Sequence, residues 1–145
     1  MKTETKIQAL VKFLDLGSDD IQATRYDPDI FDVDGAEYLV LDDLEADARA
    51  RAAIGDSLYA FNTSFIAAHS DVLQTDGAIR AFAKMTDDLC EDANAFVKGV
   101  IRDYEHFLDD ALMADGRAHF LNTYDGEEHK VSLEPGLTLY VYRVN

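Results

Sequence analysis

Residues 30–48, IFDVDGAEYLVLDDLEADA, determine the predicted fold, because they contain the change from strand to helix. Two apolar runs flank Asp34-Gly35 in this stretch, and an Asp-Gly pair between apolar runs is typical of a tight β-hairpin. Asp42 follows directly, and Glu45 comes three residues later. This is the spacing of a capping box at the start of a helix, with Asp in place of Ser or Thr. The stretch therefore predicts a hairpin that leads directly into a helix.

Helical and strand patterns extend outward on both sides of this stretch. Apolar residues at helical spacing predict a first helix over about residues 3–16, ended by Gly17, and a long helix over about 87–114, capped by Thr86. Near the C-terminus, short apolar runs on either side of Pro135-Gly136 predict a second hairpin. We therefore expect an α+β fold: a single domain over residues 1–145, in which several helices, one of them long, pack on a small, mostly antiparallel sheet.

Composition and charge exclude several classes of protein. The 145 residues are enough for one domain, and 29 acidic residues against 13 Lys and Arg give a net charge of −16. Such a charge argues against direct nucleic-acid binding, because phosphate contacts need clustered Lys and Arg. No apolar run approaches the ~20 residues that span a bilayer, so no membrane partner is expected. The single cysteine, Cys90, excludes an internal disulfide, and the first ten residues do not look like a signal peptide, so we expect a cytoplasmic protein.

The acidic residues are concentrated at the starts of predicted helices and along the predicted long helix. The helix dipole explains carboxylates in a first turn, but it opposes those near a helix C-terminus. Three explanations for the acidity stay open: solubility, a salt-rich habitat, and imitation of nucleic acid toward a basic groove on a protein partner. In the third case, the residues expected to contact the partner are Asp42, Asp43, Asp88, Glu91, Asp92, Asp103, Glu105, Asp109 and Asp110.

The sequence contains no motif that indicates catalysis. We expect no enzymatic activity, no cofactor and no metal, because nucleophile elbows, phosphate-binding glycine loops and recognised metal-ligand spacings are missing. The densest polar cluster, residues 115–129, is best explained by hydrogen bonds at a helix-to-strand junction, although a metal-dependent enzyme built on His119, Asp125 and His129 stays open. His106 is expected to make a surface contact with the carboxylates three and four residues later. His69 is expected near a helix end, without a catalytic role.

Four segments together resemble a known family: residues 37–47 (EYLVLDDLEAD), 115–121 (DGRAHFL), 124–128 (YDGEE) and 140–145 (YVYRVN). They are similar to small acidic proteins of uncharacterised function that bacteriophages, plasmids and other mobile genetic elements encode, although Ala118 stands where glycine is expected in that family.

The resemblance implies a phage or mobile-element origin and an anti-CRISPR type of function. The expected role is a non-enzymatic inhibitor that acts in the bacterial host cytoplasm as a DNA mimic. Its acidic surface would occupy the Lys/Arg-rich groove of a CRISPR effector complex subunit. The alternative is an accessory or regulatory protein-binding module of a mobile element, whose acidity serves only solubility.

Overall fold

The computed structural model describes residues 2–145 and confirms an α+β fold with an antiparallel sheet. The chain forms two compact units: the first takes the residues up to Ala50 and those from Asp115 onward, and the second is Arg51–Ala114. A single domain over residues 1–145 stays a prediction. None of the helices within residues 2–145 has the length and apolar character needed to cross a membrane.

The first unit is built on a five-stranded antiparallel sheet. Its strands are β1 (Gln22–Ala23), β2 (Ile30–Val33), β3 (Ala36–Leu41), β4 (His129–Glu134) and β5 (Leu137–Arg143), in the spatial order β1-β2-β3-β5-β4. The predicted hairpin at Asp34-Gly35 is confirmed, since both residues have positive φ, 53° and 87°, as a two-residue type I′ turn requires. The second hairpin turns at Pro135-Gly136, also as predicted.

Helix α1 (Thr3–Leu14) covers one face of this sheet. Leu10 from the helix packs with Phe31, Val40 and Val141 from three strands, and all four side chains are fully buried. The helix ends before the predicted Gly17, because Asp15 takes a left-handed conformation at its C-cap.

On the opposite face of the sheet, alternate residues of β3 and β5 are buried. Leu39, Leu41 and Tyr142 are at most 3% exposed. The predicted capping box then starts α2 (Asp43–Asp56): the Asp42 carboxylate accepts the Glu45 N–H at 2.8 Å, and the Glu45 carboxylate accepts the Asp42 N–H at 2.9 Å. A short helix, α7 (Arg117–Leu121), precedes β4.

The second unit is helical, and it overturns the prediction of one long helix over 87–114. The helices are α3 (Thr63–Ala68), α4 (Asp76–Leu89), α5 (Asn94–Val100) and α6 (Tyr104–Asp115). Cys90 breaks α4 with a positive φ of 52°, and a 3₁₀ turn over Cys90–Ala93 separates it from α5. Ile101 is extended, and the Asp103 carboxylate then accepts the His106 N–H at 3.1 Å at the start of α6.

Thr86 therefore lies inside α4 instead of capping a helix, and its hydroxyl donates to the Ala83 carbonyl. The Asn94 side chain provides a physical reason for the first break. It accepts the Tyr59 N–H at 2.9 Å and donates to the Asp56 carbonyl at 2.8 Å, which holds the start of α5 against the end of α2. The apolar repeat continues through both breaks, because Val97, Phe107 and other residues of α5 and α6 are still buried.

Candidate functional site

In the first unit, the predicted contact residues Asp42 and Asp43 already have partners within the protein. Asp42 caps α2, as described above. The Asp43 carboxylate is 2.9 Å from the Arg117 guanidinium, which also contacts Asp47 at 2.9 Å and Glu128 at 2.7 Å and lies over the Tyr140 ring at 4.3 Å. We call Arg117 and these partners the Arg117 cluster.

The Arg117 cluster is held together by a guanidinium that is only 15% exposed. Burial lowers the pKa of Arg117, but the hydrogen bonds that its guanidinium donates to Glu128, Asp43 and Asp47 outweigh this effect, so the pKa is raised above its usual value. Burial, followed by a hydrogen bond to Glu128, raises the pKa of the neighbouring Tyr142 phenol. Both groups therefore keep their protons at neutral pH, and the cluster has the character of a structural contact.

In the second unit, most of the predicted contact residues also have internal partners. Asp88 pairs with Lys84 one turn away at 2.9 Å, and Asp103 caps α6. Glu105 and Asp109 both bind Arg51, the former at 3.2 Å. Glu91 and Asp92 are exposed on the 3₁₀ turn after α4, and within residues 2–145 neither side chain has a partner.

The broken helix also removes the continuous acidic face that the sequence predicted. Asp88 lies on α4, whereas Asp103, Glu105, Asp109 and Asp110 belong to α6 or its cap. The two groups are separated by α5 and by the helix breaks on either side of it. The predicted site is therefore divided among several elements.

Asp110, the ninth predicted residue, lies between two histidines. Its Oδ2 atom is 3.1 Å from His69 Nε2 and 3.5 Å from His106 Nε2. His106 and Asp110 are one turn apart on α6, and His69 is the C-cap of α3. In the part of the chain that the structure describes, this is the one group of three His, Cys, Asp or Glu side chains whose ligand atoms lie within 4.8 Å of one another. The sequence showed the His106–Asp110 spacing, but nothing linked it to His69.

The residues of the predicted 115–129 cluster do not come together in this way. The His129 ring packs against Phe13, with ring centroids 4.7 Å apart. The Asp125 carboxylate accepts the Glu127 N–H at 3.0 Å, as in a turn. His119 is exposed in the last turn of α7. Within residues 2–145, His119, Asp125 and His129 form no group that is close enough to hold a metal ion.

The first unit contains an acidic groove that the sequence analysis did not identify. It lies beside the 3₁₀ turn over Ser18–Asp20 and the β2–β3 hairpin, and its lining residues are Leu16, Asp19, Asp20, Gln22, Asp32, Val33 and Asp34. No Lys, Arg or His within residues 2–145 lies within salt-bridge distance of the four aspartates. The only signal in the sequence was the density of Asp around the Asp34-Gly35 turn.

The groove is part of a general excess of carboxylates. Among residues 2–145, eleven acidic side chains form ion pairs, which leaves 18 of the 29 without a cationic partner. Comparisons of the chain with family models, with curated proteins and with solved structures give no match. The resemblance to mobile-element proteins therefore stays a prediction, and the proposed function rests on the geometry and charge of the protein.

Proposed function

We propose that the protein is a non-enzymatic inhibitor that binds a Lys/Arg-rich, nucleic-acid-binding groove of a host defence complex in the bacterial cytoplasm. A CRISPR effector complex is the partner that we propose first, because such a complex holds nucleic acid in a basic channel. The net charge of −16 supports a basic partner in general. The acidic groove supports a specific place of contact.

The observation that carries the proposal is the set of four groove aspartates without cationic partners. Carboxylates that already bind Arg51 or Arg117 would have to give up those contacts to bind an outside cation. The carboxylates of Asp19, Asp20, Asp32 and Asp34 would not. Other carboxylates also lack cationic partners, but these four line one groove, so a cationic partner gains several contacts in one place there.

The lining of the groove also suits Lys and Arg side chains. Leu16 is 41% exposed and stands beside the four carboxylates. Lys and Arg lay their alkyl stems on apolar surface and direct the charged end toward acceptors. A basic side chain entering the groove would thus find an apolar contact together with charge-assisted hydrogen bonds.

The test compares two variants with the same change in net charge. In the first, four groove residues are neutralised: D19N, D20N, D32N and D34N. In the matched control, four exposed acidic residues of the second unit that also form no salt bridge are neutralised: D76N, D87N, E91Q and D92N. Tagged wild-type and variant proteins are used to capture partners from nuclease-treated lysate of a CRISPR-competent host, and affinity for the recovered complex is then measured at several salt concentrations.

We expect the groove variant to lose at least about fivefold in affinity, since four contacts at ~0.2–1 kcal/mol each total about 1–4 kcal/mol. The control should bind like the wild type, and wild-type affinity should fall steeply with salt, because exposed charges are screened over about 8–10 Å. Equal losses in both variants would contradict the groove as the place of contact. Salt-resistant capture that neither variant changes would contradict the proposal as a whole.

That last outcome would favour the accessory-module alternative. One observation supports this second candidate: Phe96 on α5 and Met113 on α6 are 59% and 85% exposed, so apolar contact surface is present. An interface built on such side chains would be insensitive to salt.

A further inference from the structure

We propose that His69, His106 and Asp110 form a binding site for a zinc ion. Imidazole nitrogens and a carboxylate oxygen are ligands that zinc takes in proteins, and three protein ligands leave a fourth position for water. The site lies within the second unit and does not depend on the acidic groove or on its proposed partner.

The distances agree with tetrahedral coordination. Two ligands of a tetrahedral zinc ion lie about 3.3–3.5 Å apart, because zinc–nitrogen and zinc–oxygen bonds are about 2.0–2.2 Å long. Asp110 Oδ2 is 3.1 Å from one histidine nitrogen and 3.5 Å from the other. The ligand atoms of all three residues lie within 4.8 Å of one another, so the two histidines need to approach by about 1.5 Å at most to complete the geometry.

The buried histidine of this site is held firmly in place. The His69 side chain is 9% exposed, and its ring packs against Phe65 and Phe107 with centroid distances of 5.2 and 5.3 Å. Its backbone carbonyl accepts the Arg102 N–H at 2.8 Å, which ties the end of α3 to the chain just before α6. Ligands on such fixed elements lose little entropy when a metal binds.

The two remaining ligands are arranged on one helix face and are open to solvent. His106 and Asp110 are four residues apart on α6, with side chains 62% and 37% exposed. Arg51 binds the neighbouring Glu105 and Asp109 and leaves Asp110 to the histidines. A zinc ion therefore has a path from solvent and an open coordination position.

One imidazole is enough to pair with a carboxylate, whose oxygen can also accept a second hydrogen bond. Here a second imidazole lies on the same oxygen, with the two ring centroids 5.4 Å apart. A single metal ion bound to all three groups accounts for this convergence, because it replaces proton-dependent pairing with three coordinate bonds.

The test is titration of the untagged, metal-free full chain with Zn²⁺ in a calorimeter. We expect saturable binding of one ion per chain and a higher unfolding temperature in zinc than in EDTA. H106A and D110N should each weaken binding by more than about 100-fold, a loss greater than that from removing an outer-shell partner. H119A and D109N are the matched controls, since they remove an exposed histidine and a neighbouring carboxylate outside the site, and both should bind like the wild type.

Circular dichroism in EDTA checks that the variants keep their helices, which is expected because His106 and Asp110 are not deeply buried. Cobalt(II) provides a second readout: tetrahedral coordination gives it intense visible absorption, which H106A should abolish. The proposal is overturned if the wild type binds no stoichiometric zinc, or if H106A and D110N bind zinc as tightly as the controls do.

Discussion

Replacing Lys6 by Met tests the most deeply buried charge that the structure describes. The Lys6 side chain is 1% exposed, and its ammonium group lies 2.6 Å from Asp29 and 3.1 Å from Glu45. Met has a similar length and fills the same space, so the substitution removes the charge and leaves the packing nearly unchanged. The three charges join α1 to the start of β2 and the first turn of α2.

The expected loss follows from the exposure of the two carboxylates. Removing one partner of a fully buried ion pair costs about 3–5 kcal/mol, because the other charge is left buried and unpaired. Asp29 and Glu45 are 23% and 31% exposed, and Asp29 keeps its contact with Arg49 at 2.9 Å. Water and Arg49 therefore offset part of the loss, and we expect K6M to reduce the free energy of unfolding by about 2–3 kcal/mol.

The assay is urea unfolding followed by far-ultraviolet circular dichroism, with K12M as the control on the same helix. Lys12 is exposed and donates one hydrogen bond to the Ser132 carbonyl, so K12M should cost no more than about 1 kcal/mol. A double-mutant cycle with E45Q, which retains an oxygen for the capping box, should give a coupling energy of at least about 0.5 kcal/mol. If K6M were as stable as K12M, or the cycle gave no coupling, the assigned role of Lys6 would be wrong.

Three further substitutions test other parts of the first unit. A hydrogen bond from Arg49 holds the pKa of Asp27 below its usual 3.8, so D27N should be less stable than the wild type at pH 7. The difference in the free energy of unfolding should shrink as acid protonates Asp27 below about pH 4. A difference in urea unfolding that does not depend on pH would contradict this prediction. R117M should cost about 2–4 kcal/mol, whereas R143M, which removes a guanidinium stacked 3.7 Å over one ring, should cost less than about 1 kcal/mol. G35A should cost about 1–2 kcal/mol because φ is +87° there, and an unchanged thermal unfolding temperature would exclude this strain.

The local features of the fold could be read from the sequence because neighbouring residues determine them. The Asp34-Gly35 turn and the Asp42–Glu45 capping box involve residues at most three positions apart, and both are present as predicted. The prediction of one long helix was wrong because the apolar repeat continues through the break between α4 and α5 and hides it. That break is accompanied by contacts of the Asn94 side chain with residues 35 and 38 positions away. Periodicity records which residues are buried, and it does not record such distant contacts.

In the candidate sites too, contacts between near neighbours in the sequence could be predicted, and contacts between distant residues could not. The pairing of His106 with an acidic residue one turn later was visible as a helical spacing. The contribution of His69 was not visible, because it precedes Asp110 by 41 positions and meets it only through the packing of α3 and α6. The partners of Arg117 were hidden for the same reason, since Asp43 and Asp47 precede it by 70 residues or more.

Net charge alone is a poor guide to which carboxylates are available to a partner. Lys6, Arg49, Arg51 and Arg117 each bind two or more acidic side chains, so a few cations engage many of the carboxylates that the sequence counts as surface charge. Reversing the charge of such a carboxylate, for example Asp43, would place two cations together and weaken the fold. The resulting loss of binding would look like loss of a contact. Charge-reversal experiments can therefore report on recognition only at carboxylates without internal partners, and the four groove aspartates are among these positions.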